Sequence, residues 1–233
     1  MQTTHLTTTH LGGTGLEITR LGFGAWPIGG GGWEFGWGPQ DDQESIPAIH
    51  HGLERGLNWI DTAAAYGFGR SEWIVGQALQ DTPRVSGRTC SRRRRCSRPP
   101  TAASYTTSSA TDSILREAHT SLERLGIDAI DLYQIHWPIP AADIEEGWGT
   151  MAELKEQGLV RHIGVSNFDV EQLGRIQQIA PVETVQPQYS LIERDILPFA
   201  ERNGIGVIVY SPMGSGMLTG ADDVRPDCAA CKR

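Results

Sequence analysis

Lysine is almost missing from this chain: its 233 residues contain two, Lys155 and Lys232. Long apolar runs are missing as well. None approaches the roughly 18 residues that a membrane-spanning helix needs, so no membrane partner is expected. The opening MQTTHLTTTH lacks the basic-then-apolar order of a secretory signal, which makes a cytoplasmic location the default. No G-x-G-x-x-G follows the first β-rich run, so an open dinucleotide-binding sheet is not signalled. Basic charge is also scarce, with 20 Lys+Arg against 28 Asp+Glu. Six of those arginines fall between Arg88 and Arg98, a stretch without an acid, so 14 basic groups face 28 acidic ones elsewhere. That balance repels a phosphate backbone, and no aromatic-studded basic module accompanies it; nucleic acid is not an expected partner. The four cysteines are Cys90, Cys96, Cys228 and Cys231. The last two have C-x-x-C spacing, which suits zinc or a redox pair. A redox pair belongs between a strand and a helix, and Cys90 and Cys96 have an unusual spacing for zinc, so no metal site is expected.

The remaining sequence is regular. Short apolar, β-prone runs alternate with amphipathic ones. Strands are expected near 21–24, 58–61, 130–135, 161–165, 183–187 and 206–210. Helical spacing appears in ESIPAIHHGLERG, SEWIVGQALQ, DSILREAHTSLERLG, IEEGWGTMAELKEQG, DVEQLGRIQQIA and RDILPFAERNG. Asp112 and Gly126 bracket the third as N-cap and stop. Asp169 and Gln172 have capping-box spacing in the fifth. This alternation predicts one α/β domain over residues 1–233, with a parallel sheet covered by helices. Chemically useful side chains follow the strand ends: Asp61 and Tyr66, His136, Ser166 and Asn167, Gln186, then Tyr210 and Ser211. Several strands delivering such groups to one rim is the pattern of a (β/α)8 barrel.

GLNWIDTAAAYGFGRSE, IDLYQIHWP, IGVSNF and VIVYSPMGSGMLTG resemble segments of the aldo-keto reductases, especially their bacterial members, in the same order. The resemblance implies a (β/α)8 barrel that reduces aldehydes or ketones to alcohols with NADPH (NAD is also possible) and without metal. It implies a tetrad of aspartate, tyrosine, lysine and histidine. Asp61, Tyr66 and His136 match three of these. Tyr66 is then the general acid that protonates the carbonyl oxygen, the aspartate holds the lysine that tunes it, and His136 orients the carbonyl. Ser166, Asn167 and Gln186 match residues that hold the nicotinamide carboxamide. Tyr210 matches the aromatic that stacks on the nicotinamide, and Ser211 and Met213 lie along the pyrophosphate. Trp26 is expected among the cofactor-binding residues and, with Trp33 and Trp37, to line the substrate mouth. The partner implied is a small carbonyl compound; oligomeric state is left open.

Two segments depart from the pattern. Residues 85–111 should carry the third strand and the tetrad lysine, yet 88–109 read RTCSRRRRCSRPPTAASYTTSS, without apolar alternation. A back-translation of 87–111 read one nucleotide earlier yields an apolar run ending in lysine, which predicts a frame slip in the gene. The second segment, from 221, stops where an eighth βα unit is expected. The barrel is therefore expected to be incomplete, with a doubtful third strand and no eighth unit. Activity is expected to be impaired, and the alternative is a catalytically dead NADP-binding or regulatory subunit of the same fold.

Overall fold

The computed structural model describes residues 6–33, 35–81, 104–106 and 111–219. The arginine run, all four cysteines, Lys232 and the chain beyond Thr219 lie outside the described residues. The elements alternate as the sequence pattern predicts. Strands β1 (Thr8–His10), β2 (Glu17–Thr19) and β3 (Phe23–Gly24) lead to helix α1 (Asp42–Glu54). Strand β4 (Ile60–Asp61), helix α2 (Arg70–Asp81), strand β5 (Ser104–Thr106) and helix α3 (Thr111–Leu125) follow. Strand β6 (Ile130–Ile135), helix α4 (Ile144–Glu156), strand β7 (Val160–Ser166) and helix α5 (Val170–Ile176) come next. Strand β8 (Thr184–Gln186), helix α6 (Leu197–Arg202) and strand β9 (Gly206–Val207) complete the series before a 3-10 turn at Gly214–Thr219.

Strands β5 to β9 form a parallel sheet in chain order, and β3 pairs with β4 in a second parallel sheet. Among the described residues no ladder joins the two, so closure of the barrel is not seen as hydrogen bonding. They nevertheless share an interior. Leu132 of β6 and Ile208 beyond β9 pack in one buried cluster with Ala25 and Ile60. The other core lies between the large sheet and α3, α4 and α5, with Trp148 and Met151 fully buried. Alternation along β6 explains the two layers: Tyr133 and Ile135 face the helices, while Leu132 joins the interior cluster.

The third strand is reduced to three residues. Ser104–Thr106, inside the anomalous stretch, pairs in parallel with β6, Thr106 opposite Ile135. A ladder is made of backbone groups, and Tyr and Thr accept extended geometry readily. Three residues of the required type therefore suffice for this short strand. Helix α3 starts one residue before the expected cap Asp112, at Thr111, while Gly126 has the left-handed φ of a stop (63°). The Asp169–Gln172 capping box forms in both directions. The sequence reading missed the antiparallel hairpin β1–β2. Asn58 binds it at the backbone amide of Thr19 (2.8 Å) and the carbonyl of Glu17 (2.8 Å). Leu11, in the connection between its strands, is buried against Gly206, so the hairpin covers the N-terminal ends of β4 and β9.

Candidate active site

Two loops at the C-terminal ends of β3 and β4 create one side of the site. They touch backbone to backbone at Gly29 and Gly67. A Cβ on Gly67 would lie 2.1 Å from the Gly29 carbonyl oxygen, and its φ is +60°. Any other residue here would push the loops apart. Ser71, at the start of α2, donates to the Ala25 carbonyl (2.8 Å) and meets the Thr62 hydroxyl (2.9 Å). Arg70 donates to the carbonyls of Ile28 (3.2 Å) and Gln40 (2.9 Å) and pairs with Asp42. The tryptophan-bearing loop is thereby bound to α1 and α2.

These contacts fix Tyr66, which is buried with 8% exposure. Its ring lies 6.0 Å from Trp26, nearly parallel, and 6.1 Å from Trp33. Trp37 lies 6.1 Å from Trp26 and is 71% exposed. His136, just past β6, meets Tyr66 edge-on at 5.9 Å. Burial, followed by the charges of Asp61 and Tyr210, pushes the Tyr66 phenol well above its ordinary value of 10. Burial pulls His136 down to about 4. At neutral pH the pair is a phenol beside a neutral imidazole.

The next three strand ends extend the same rim. The Ser166 hydroxyl donates to the Gln186 carbonyl (2.8 Å). Asn167, at φ 61°, donates to the His136 carbonyl (2.9 Å) and accepts from the Tyr210 hydroxyl (2.5 Å). The Gln186 amide nitrogen reaches the Asp61 carboxylate at 3.1 Å. Asp61, Tyr66, Trp26, Trp33, His136, Ser166, Asn167, Gln186 and Tyr210 are thus one contiguous group of side chains. Ser211 and Met213 lie on the loop after β9, and Met213 is 52% exposed. No described contact carries either into that group.

The sequence reading missed Trp137, which stacks on His136 at 6.3 Å and 16°. Its position directly after His136 was the available signal. It also missed Gln134, which is fully buried two residues before His136 and so shares its interior face. Lys155, the sole lysine among the described residues, binds Glu183 at 2.7 Å. Glu183 precedes β8, whereas Asp61 meets the last residue of β8, so Lys155 serves the opposite end of the sheet. Thr106 shares a face with Ile135, which packs toward the helices. Among the described residues no cluster of three His, Cys, Asp or Glu could hold a metal ion.

Residues 20–230 match the aldo/keto reductase family. The chain belongs to that family. It is 40% identical over 221 residues to the aldo-keto reductase YhdN of Bacillus subtilis, covering 91% of this chain and 63% of that protein. It is 37% identical over 225 residues to the NADH-specific methylglyoxal reductase of Escherichia coli, covering 90% of this chain and 68% of that one. The chain therefore spans about two thirds of the length of these relatives. Among solved structures it superposes on the glycerol dehydrogenase AKR11B4 of Gluconobacter oxydans with a TM-score of 0.78 at 30% identity, over 100% of this chain and 72% of that one. An aldo/keto reductase of Klebsiella pneumoniae in complex with NADP and acetate gives 0.71 at 28% identity, over 92% and 72%. The aldo-keto reductase assignment makes the (β/α)8 barrel the parent architecture of the two parallel sheets.

Proposed function

We propose that this aldo-keto reductase reduces an aldehyde or ketone to the alcohol, with Tyr66 as the proton donor. The carrying observation is the convergence of a protonated phenol, a neutral imidazole and the Asp61 carboxylate at one rim, beneath three tryptophans. A nicotinamide cofactor fits the donor set. Ser166, Asn167 and Gln186 offer hydroxyl and amide groups suited to a carboxamide, and the half-buried ring of Tyr210 stands beside Asn167. Bound there, NADPH or NADH supplies hydride to the carbonyl carbon. Tyr66 donates its proton to the carbonyl oxygen as negative charge grows there, and His136 orients that oxygen with a hydrogen bond. Trp26, Trp33, Trp37 and Trp137 exclude water from the mouth and hold a small carbonyl compound.

The Tyr66 proton is held tightly because burial and the Asp61 charge both oppose phenolate. The tetrad lysine that would offset them has no counterpart among the described residues, since Lys155 sits on Glu183. Turnover is accordingly slower than in a complete tetrad, by about 10²–10⁴-fold. The same observation favours a second reading, a cofactor-binding chain without turnover. Titration of the purified protein with NADPH and with NADH, with and without a carbonyl compound, separates the two. Slow carbonyl-dependent oxidation of either cofactor supports the reductase. Tight binding with no oxidation supports the second reading, and no binding of either removes both.

A further inference from the structure

Inside the sheet, below the rim, four side chains form a continuous chain of hydrogen bonds. Thr184 Oγ1 donates to Gln134 Oε1 at 3.2 Å. Gln134 Nε2 donates to Gln186 Oε1 at 3.1 Å. Gln186 Nε2 donates to Asp61 Oδ2 at 3.1 Å. Thr184 and Gln134 are fully buried, and Gln186 is 6% exposed. The proposed reaction takes up no proton at Gln134 or Thr184.

The direction of the chain follows from one end. An ionised carboxylate accepts and cannot donate, so the group facing Asp61 must be the NH2 of Gln186. That turns the Gln186 oxygen toward β6, where it needs a donor, and Gln134 must present its own NH2. The Gln134 oxygen then faces Thr184, whose hydroxyl supplies the proton. Reversing Gln186 sets oxygen against the Asp61 carboxylate and nitrogen against the Gln134 nitrogen, and reversing Gln134 sets its oxygen against the Gln186 oxygen, although Thr184 could then accept from its NH2. In an interior without competing water such a mismatch is costly.

We propose that Gln134 is a positioning residue. It anchors the oxygen of the Gln186 amide, whose nitrogen the carboxylate requires, and thereby steadies the hydrogen bond that orients Asp61 beside Tyr66. Gly164 of β7 keeps the room for this chain. A Cβ there would fall 1.9 Å from Thr184 Oγ1 and 3.0 Å from Gln134 Oε1. This gives a reason for glycine in the middle of a buried strand, where it is otherwise unfavourable. The proposal rests on reading Asp61 and Tyr66 as parts of a reductase site, but its test does not require turnover.

The experiment is a carboxyl 13C NMR titration of Asp61 in the full chain, for wild type, Gln134→Met, Thr184→Val and Thr184→Ser. Methionine keeps the shape of Gln134 and removes its hydrogen bonds. Without its anchor the Gln186 amide is held less firmly, and its hydrogen bond to Asp61 weakens. Its titration midpoint is expected to rise by about one pH unit in Gln134→Met. Thr184→Val should move it in the same direction by less, and Thr184→Ser, which keeps the hydroxyl, should leave it at the wild-type value. An unchanged midpoint in a folded Gln134→Met overturns the proposal. Should that variant fail to fold, an unchanged midpoint in Thr184→Val does the same. Absence of carbonyl-dependent cofactor oxidation in the wild type refutes the reductase reading instead, and leaves the titration to decide the role of Gln134.

Discussion

The imidazole of His136 meets the phenol ring of Tyr66 edge-on, with ring centres 5.9 Å apart and planes at 78°. The two come from different strand ends, seventy positions apart in sequence. Tyr66 is buried and His136 half-buried, and loss of solvent drives both to the neutral form. Removing the phenolic hydroxyl removes the proton donor while the ring, and its packing on Trp26, remains. Tyr66→Phe should lower kcat for carbonyl reduction by about 10²–10⁴-fold with little change in cofactor affinity. A variant that keeps wild-type turnover would take Tyr66 out of the reaction.

The direction of catalysis should respond unequally to pH. Reduction uses Tyr66 with its proton on, and a pKa well above 10 keeps it there through neutral and mildly alkaline pH. Reduction should therefore be flat between about pH 6 and pH 9. Alcohol oxidation needs phenolate to receive a proton, so it should climb about tenfold per pH unit across the same range. Parallel rate profiles in the two directions, at saturating cofactor, are the check; a plateau in oxidation near pH 7 would mean that a cation lowers the phenol.

Acid should destabilise the fold in two steps. Partial burial lowers His136 from its ordinary value to about 4, so the unfolded chain binds the extra proton and stability falls as pH drops from about 6.5 to 4. At Glu183, burial pushes the carboxyl up, but hydrogen bonds from His162 (2.9 Å), Lys155 (2.7 Å) and the Ile163 amide (3.0 Å) outweigh it and hold the group at about 2. Its contribution is present above the ordinary carboxyl value and is lost as pH falls from about 4.5 toward 2. Glu183→Gln should cost about 2 kcal/mol near neutrality and flatten the lower step. Urea midpoints measured across pH 3 to pH 7 test both steps.

Gly67→Ala should loosen the mouth. The added methyl meets the Gly29 carbonyl oxygen at 2.1 Å in a left-handed backbone, a strain of about 1–3 kcal/mol. The loops relieve it by separating, which moves Tyr66 from Trp26 and Trp33. A lower Tm with a changed tryptophan emission spectrum is expected; an unaltered spectrum would mean that the two loops are not coupled.

The alternation of apolar strands and amphipathic helices was legible in the sequence because each period is a local property of the chain. So was the capping box at Asp169, whose partners are three residues apart. The site residues Asp61, Tyr66, His136, Asn167 and Gln186 could be placed after strand ends for the same reason. Three features were not legible. The hairpin at Thr8–Thr19 has an exposed first strand and little apolar alternation, and is held from Asn58. The short strand at Ser104–Thr106 depends on a ladder to β6 that its own side chains do not announce. The chain from Thr184 through Gln134 and Gln186 to Asp61 joins residues up to 125 positions apart. Sequence by itself determined the periodicity, the family motifs and which residues stand at strand ends, since these depend on neighbours along the chain. Only the tertiary structure decided which amide faces which oxygen, which lysine serves which carboxylate and which glycines make room, because burial and contact arise when distant segments exclude water together.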